Sequence, residues 1–366
     1  MGLTNFRNYR SLELDIPAGL VVFQGDNAQG KTNLLEAMYM LATAKSHRAA
    51  MDRELVNWPC LNSDIAAARV TAQVETRAGG IRVEIAIVVT QSKEGPQFQK
   101  KLKINGVPRR IIDIVGQTAV VLFTSHDIDL IYGAPSRRRR YLDIAGSQVD
   151  QKYLHALQQY NKVLLQRNNL LRLIAERRAD EGQLEFWDGE MMRHGSVIIE
   201  QRIQLAAELN RLAPPIHSRI SSGEELRINY LPSVNIEGFR RRLQESRKRE
   251  IAQRVSVLGP HRDDMSFTIN GNDVNTYGSR GQQRTAALSL KLAEAGYLSS
   301  KLNDEPVILL DDVLSELDAT RRHQLLEAVS SYNQVVITTT DIDYFEPGFL
   351  ENAARFMVND GTVVAL

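Results

Sequence analysis

The sequence has 366 residues, enough for two or three compact lobes with cores of their own. Apolar residues make up 43% and charged residues 24%, an ordinary water-soluble balance; no run approaches the roughly 20 apolar residues that span a bilayer, and Asn5, Arg7, Asn8 and Arg10 break any leader-like pattern. With a net charge of +1, any nucleic-acid contact must come from local basic patches, while a lone Cys60 excludes a disulfide framework and seven scattered histidines argue against zinc; these features together point to the cytoplasm.

Along the chain, Leu12, Leu14 and Ile16 alternate with Ser11, Glu13 and Asp15, which predicts a half-buried strand ended by Pro17-Ala18-Gly19. Leu20-Val21-Val22-Phe23 reads as a fully buried strand running into a glycine-containing loop. Leu34, Leu35, Met38 and Leu41 then recur at helical spacing, predicting a helix over Thr32 to Leu41. From Ile65 to Ile104 the pattern is β, with 70–74 and 81–85 alternating on either side of Ala78-Gly79-Gly80, and a tight turn at Asn105-Gly106. Val120-Val121-Leu122-Phe123 is another buried strand.

Between Pro135 and Leu212 glycine thins out and Leu, Gln, Arg and Glu dominate. Leu154, Leu157, Leu164, Leu171 and Ile174 mark an amphipathic helix, Asp180-Glu181-Gly182 interrupts it, and Pro214-Pro215 is expected to stop the helix that follows. The region reads as a helical hairpin inserted into an α/β domain. Phe239 to Arg249 predicts a basic helix, Phe267 to Gly271 a strand and turn, and Arg284 to Leu298 a helix. Val307 to Leu310 and Val335 to Ile337 read as buried strands flanking a helix over Arg321 to Ser330. The expected organisation is an N-terminal part at 1–134, a helical insertion at 135–250 and a C-terminal part at 251–366.

Gly25-Asp26-Asn27-Ala28-Gln29-Gly30-Lys31-Thr32 satisfies GxxxxGK[ST] between a buried strand and a helix, the context that a phosphate-binding loop requires. Its backbone N–H groups must all face inward around phosphate oxygens; glycines permit the bends and the helix N-terminus adds its positive end. Lys31 would reach the β- and γ-phosphates of ATP, and the Thr32 hydroxyl would bind Mg²⁺. Downstream, the strand ending in Asp311-Asp312 puts two carboxylates at the C-terminal edge of a parallel sheet, where its ligand crevice lies. Asp311 is suited to hold Mg²⁺ through water, and Asp312 to orient or deprotonate the attacking water.

Tyr277-Gly278-Ser279-Arg280-Gly281-Gln282-Gln283-Arg284 resembles the signature motif of ABC/SMC-type ATPases, and Ser315-Glu316-Leu317-Asp318 resembles their D-loop. Taken alone, the first stretch reads equally well as the start of a helix with Ser279 as N-cap. The flanking blocks are similar to the RecF family: Asn5 to Tyr9, Gly30 to Ala37, Lys45-Ser46-His47-Arg48, Gly259 to Asp264 and Gly278 to Arg284. They run from residue 5 to 318 and so cover nearly the whole chain.

The resemblance implies a P-loop ABC/SMC-type ATPase head (α/β) with an antiparallel β lobe and an inserted helical arm. It implies nucleotide contacts from Gly25, Asn27, Gly30, Lys31, Thr32 and Asn33, with Ser279, Gly281 and Gln282 acting on ATP held by a second copy. Catalysis would rest on Asp312 and Lys31, and Mg²⁺ on Thr32 and Asp311. It further implies an ATP-dependent homodimer that clamps gapped or single-strand/double-strand junction DNA, and a role with RecR and RecO in loading RecA at the nucleoid. Asp312 stands where many ABC ATPases carry Glu, and Thr340 near where transporters carry a switch histidine; both suit slow hydrolysis. An ABC transporter subunit would lack a use for the helical insertion, and a small-molecule kinase would not need Ser279 to Gln282. Three basic clusters, Arg137 to Arg140, Lys100-Lys101 with Lys103, and Arg240 to Arg242 with Arg247 to Arg249, stand either as DNA contacts or as solvated and salt-bridged faces.

Overall fold

The computed structural model describes residues 1–60, 67–77, 79–92, 95–346 and 348–366. The Ile65 end of the expected β region and Ala78 of its hairpin therefore lie outside the described residues. The chain divides into two compact units, one formed by Met1–Asp127 with Glu294–Leu366 and the other by Ile128–Ala293.

The first unit holds two sheets. One is antiparallel, in the order β2-β1-β4-β5-β6-β7, from β1 (Gly2–Phe6), β2 (Tyr9–Glu13), β4 (Ala67–Thr76), β5 (Gly79–Ser92), β6 (Gly95–Ile104) and β7 (Val107–Arg109). The Asn105-Gly106 turn between β6 and β7 takes φ of 51° and 79° at its two residues, the left-handed pair that a two-residue hairpin needs. The strand expected to reach Ile16 ends at Glu13, because its partner β1 runs out at the Gly2–Glu13 pair.

The other sheet has the order β15-β14-β3-β13-β12-β8, from β3 (Gly19–Gln24), β8 (Val120–Thr124), β12 (Val307–Asp311), β13 (Gln334–Thr339), β14 (Ala354–Asn359) and β15 (Thr362–Ala365). All neighbours except β14 and β15 pair in parallel. Val21 to Phe23, Val120 to Phe123, Ile308 to Leu310 and Val335 to Ile337 are buried, which accounts for their unbroken apolar runs. Helix α1 (Lys31–Thr43) packs Leu34, Leu35, Ala37 and Met40 into this core, and α9 (Ala319–Val329) contributes Leu325, Leu326 and Val329.

The second unit is mainly helical: α2 (Asp129–Tyr132), α3 (Pro135–Val149), α4 (Gln151–Ala175), α5 (Leu184–Ile220), α6 (Phe239–Gln253) and α7 (Val274–Tyr277), with a small antiparallel sheet of β9 (Leu226–Leu231), β10 (Asp264–Ile269) and β11 (Asn272–Asp273). The division between the units falls inside α8 (Arg280–Leu302). The insertion is a hairpin of α4 and α5, and α3 precedes it across Asp150, whose side chain caps α4 by accepting from Lys152 N at 2.7 Å. Tyr153, Ala156, Tyr160 and Val163 of α4 pack with Met191, Ile198 and Ile199 of α5 and with Phe239 and Leu243 of α6.

The expectation that Pro214-Pro215 stops a helix is overturned. Helix α5 continues through both prolines to Ile220. Each proline deletes one intrahelical bond, at a cost of about 3 kcal/mol. Burial of Leu209, Ala213, His217 and Ile220 on one face offsets this, and the Asn210 side chain accepts from Ile228 N of β9 at 2.8 Å. No helix of the described residues is long and apolar enough to cross a membrane.

Candidate functional site

The parallel sheet brings the sequence-predicted loop and acids to one edge. The loop starts where β3 ends and leads directly into α1. Gly25 has φ +155°, and a Cβ there would lie 2.3 Å from the Val358 carbonyl oxygen; at Gly30 (φ +117°) it would lie 2.6 Å from Asn8 Nδ2 and 2.8 Å from the Tyr9 hydroxyl. Only glycine fits either position. The loop is clamped from outside: Asn8 Nδ2 donates to Gln29 O (3.0 Å), Tyr9 Oη to Gly30 O (3.1 Å), Gly361 N to Gln29 O (3.1 Å) and Asn33 Nδ2 to Asn8 Oδ1 (2.8 Å). Asn27 sits exposed at the crown.

Lys31 Nζ lies along the inside of the loop and donates to Gly25 O (2.6 Å) and Asp26 O (2.7 Å). Burial pulls its pKa below the ordinary lysine value, against the raising influence of Asp312, Asp311 and Asp26. Thr32 Oγ1 donates to Asp311 Oδ1 at 2.8 Å, joining the two motifs across 279 residues of sequence. Thr338, fully buried at the end of β13, adds a second hydroxyl 3.0 Å from the same oxygen and accepts from Asp312 N at 3.0 Å.

Asp312 has φ +52°, a left-handed conformation uncommon outside glycine, and its Oδ1 is shielded from solvent without a hydrogen-bond partner. Burial pushes its carboxyl above the usual aspartate range, Lys31 pulls it down and Asp311 raises it. A carboxylate so placed is poised to accept a proton or a water hydrogen bond. Beside Gly25 a cavity of about 440 Å³ is lined by Asp26, Gln29, Thr340, Asp341 and Asn359 among others.

Behind α1, Glu36 is fully buried and receives Arg7 Nε (2.7 Å), Arg7 Nη2 (2.8 Å) and the Ser46 hydroxyl. Burial raises its pKa, but the bonds from Arg7 and Ser46 outweigh burial and hold it below the ordinary glutamate value. Ser46 thereby anchors the 45–48 block along the helix that carries the phosphate loop. His47 in that block is held neutral by burial, its pKa lowered to about 4.

Ser279, Gly281 and Gln282 lie in the second unit, where α8 begins. Ser279 Oγ accepts from Gln282 N (3.2 Å) and Gln282 Oε1 accepts from Ser279 N (2.9 Å), a reciprocal capping box. Asp273 caps α7 by accepting from Thr276 N at 2.8 Å, and Gly278 leaves no room for a Cβ, which would lie 2.5 Å from Val274 O. The N-cap expected of Ser279 is therefore present, on an exposed helix start of the kind that favours anions.

Nothing in the sequence alone marks Thr338 or the Asn8-Tyr9 clamp as part of the site. Thr338 was visible only as a hydroxyl at the end of a buried strand, and Asn8-Tyr9 only as part of a family block.

A model of the RecF/RecN/SMC N terminal domain matches residues 1–363. The DNA replication and repair protein RecF of Herpetosiphon aurantiacus is 42% identical, with 99% of this chain and 97% of that protein covered. This chain belongs to the RecF family. A RecF of Geobacillus thermodenitrificans is 41% identical over 99% of this chain and 98% of its own length. The solved structure of the recombination mediator protein RecF with ATP, in the RecFOR pathway, is 34% identical and superposes with a TM-score of 0.88 over 100% of this chain and 96% of that one. An SMC head domain from Pyrococcus furiosus, 18% identical with a TM-score of 0.55, shares the fold. The RecF head with its antiparallel sheet and helical arm is thus the architecture expected from the sequence.

Proposed function

We propose that this chain is a slow ABC/SMC-type ATPase that binds DNA in recombinational repair and forms an ATP-dependent homodimer. The observation that carries this reading is the 2.8 Å contact of Thr32 Oγ1 with Asp311 Oδ1, which joins the phosphate loop to the strand-end acids. Mg²⁺ fits there: the Thr32 hydroxyl would be a direct oxygen ligand, and Asp311, hydrogen-bonded to that hydroxyl, stands beside it where it would hold the ion through a water. When bound, Mg²⁺ would neutralise charge on the nucleotide's phosphates.

In this reading the chain's own residues divide the work. Gly25 and Gly30 let the backbone approach the phosphates, and Asn27 and Asn33 flank the loop. Lys31 turns its ammonium from the loop carbonyls to the β- and γ-phosphates. Asp312 orients the attacking water and takes its proton, and Thr338 keeps that residue in place. Ser279, Gly281 and Gln282 complete the site from the second copy by presenting a helix N-terminus to the γ-phosphate. Closure of the dimer would grip gapped or junction DNA, with RecR and RecO as partners in loading RecA; family membership supports these assignments and a cytoplasmic, nucleoid-associated location.

The test is solution mass by light scattering with and without ATP and Mg²⁺, for wild type and Ser279→Arg, with thermal unfolding as the control for the lost cap. An ATP-dependent shift from monomer to dimer, absent in the variant, is expected. A wild type that binds ATP yet stays monomeric would refute the shared-site mechanism.

A further inference from the structure

The structure separates the three basic clusters. Arg138 is only 5% exposed and gives Asp264 two hydrogen bonds, at 2.6 and 2.9 Å, while Arg139 donates to Asp263 O at 2.8 Å. In the β hairpin, Lys100 is bound to Ala44 O (3.0 Å) and Asp52 (2.8 Å), and Lys103 lies 3.6 Å from Glu84. These arginines and lysines are largely engaged within the fold.

Helix α6 is different. Phe239, Leu243 and Glu250 bury one side of it, and Arg247 turns inward to Asp188 at 2.6 Å. Arg240, Arg241, Arg242, Lys248 and Arg249 are exposed on the remaining surface. At 3.6 residues per turn they fall within an arc of about 200°. Glu245 alone interrupts them, 3.6 Å from both Arg241 and Arg242. Arg240, Lys248 and Arg249 have no acidic partner among the described residues.

We propose that the exposed face of α6 is a binding surface for the sugar-phosphate backbone of duplex DNA, a step that rests on the DNA-binding reading above. A rigid helix from Arg240 to Arg249 extends about 13 Å, at 1.5 Å per residue. That matches roughly four phosphate steps of one strand at about 3.4 Å each. Arginine and lysine heads on such a rod contact phosphates without reading bases. The face carries no aromatic side chain, and Phe239, the only aromatic of α6, is buried. Single-strand sites stack bases on aromatic rings, so the occupant is duplex.

The test compares wild type with the triple variant Arg240→Ala/Lys248→Ala/Arg249→Ala by fluorescence anisotropy, with ATP and Mg²⁺ present, on duplex and single-stranded oligonucleotides across a salt series. Loss of three phosphate contacts should flatten the plot of log affinity against log salt by about 2.7, at 0.9 per contact, and weaken duplex binding at 0.1 M salt roughly a hundredfold or more. A control triple, Arg10→Ala/Lys101→Ala/Arg109→Ala, should keep the wild-type slope. Circular dichroism and ATP affinity check that the fold is intact. An unchanged slope, an equal loss in the control, or a loss confined to single strands would overturn the proposal. A wild type that binds no DNA at all would instead defeat the DNA-binding reading beneath it.

Discussion

Replacing Thr338 by valine removes one hydroxyl while keeping the β-branched shape that suits the end of β13. The side chain is fully buried, and its Oγ1 lies 3.0 Å from both Asp311 Oδ1 and Asp312 N. The hydrogen bond to the carboxylate is worth about 1.5–3 kcal/mol and the one from the backbone N–H about 1 kcal/mol, so the variant should lose roughly 2–4 kcal/mol of stability. Thr338→Ser should restore most of it. Asp312, left in its left-handed conformation without this anchor, would drift from the position that the proposed hydrolysis requires of it, and a displacement of about 1 Å can cost on the order of a hundredfold in rate. Urea unfolding reads the stability, and turnover at saturating ATP reads the rate, with nucleotide affinity expected to change little. A valine variant within about 0.5 kcal/mol of wild type and with normal turnover would refute the role assigned to this hydroxyl.

Gly25→Ala forces a Cβ to within 2.3 Å of the Val358 carbonyl oxygen, a backbone atom that cannot swing away; a loss of about 2 kcal/mol or more and failure to bind ATP are expected, and an unchanged melting temperature would contradict the clash. Arg167 is fully buried and binds Asp188 (2.9 Å), Glu250 (2.6 Å) and Ser256 (2.8 Å); Asp188 also holds Arg247, so Arg167→Met should cost about 3–5 kcal/mol in urea unfolding chiefly by leaving the buried Glu250 without its cationic partner, and less than about 1 kcal/mol would show the network to be dispensable. His261 is kept neutral by burial, its pKa lowered to about 4 from 6.5. Above pH 6.5 neither folded nor unfolded chain protonates it; as pH falls from 6.5 to 4 only the unfolded chain gains the proton, and on the order of 3 kcal/mol of stability should drain away across that window. The difference between wild type and His261→Gln, followed by unfolding at several pH values, should narrow by that amount, and a flat difference would exclude the effect.

The phosphate loop was legible in the sequence because its physics is local: two glycines, a lysine and a hydroxyl within eight residues, bracketed by a buried strand and an amphipathic helix. The same holds for the strands of the parallel sheet, whose apolar runs report burial on both faces, and for the Asn105-Gly106 turn, whose two left-handed residues are written in their types. Ser279 was legible as an N-cap because capping is local, whereas the return bond of Gln282 to Ser279 N is seen only in the folded chain.

What the sequence could not determine depends on which distant segments meet. The order β3-β13-β12 puts Thr338 between the phosphate loop and the acids, and nothing near Thr338 in sequence announces that neighbour. Pro214 and Pro215 signal a helix end by local rules, yet the burial of Ala213, His217 and Ile220 carries α5 past them, because tertiary packing outweighs two lost backbone bonds. Arg138 and Arg240 look alike in their arginine runs; one is buried against Asp264, 126 residues away, and the other faces solvent. Local chemistry decides what each segment prefers, but the free energy of a buried charge or a shared hydroxyl belongs to a set of residues that only the folded chain assembles.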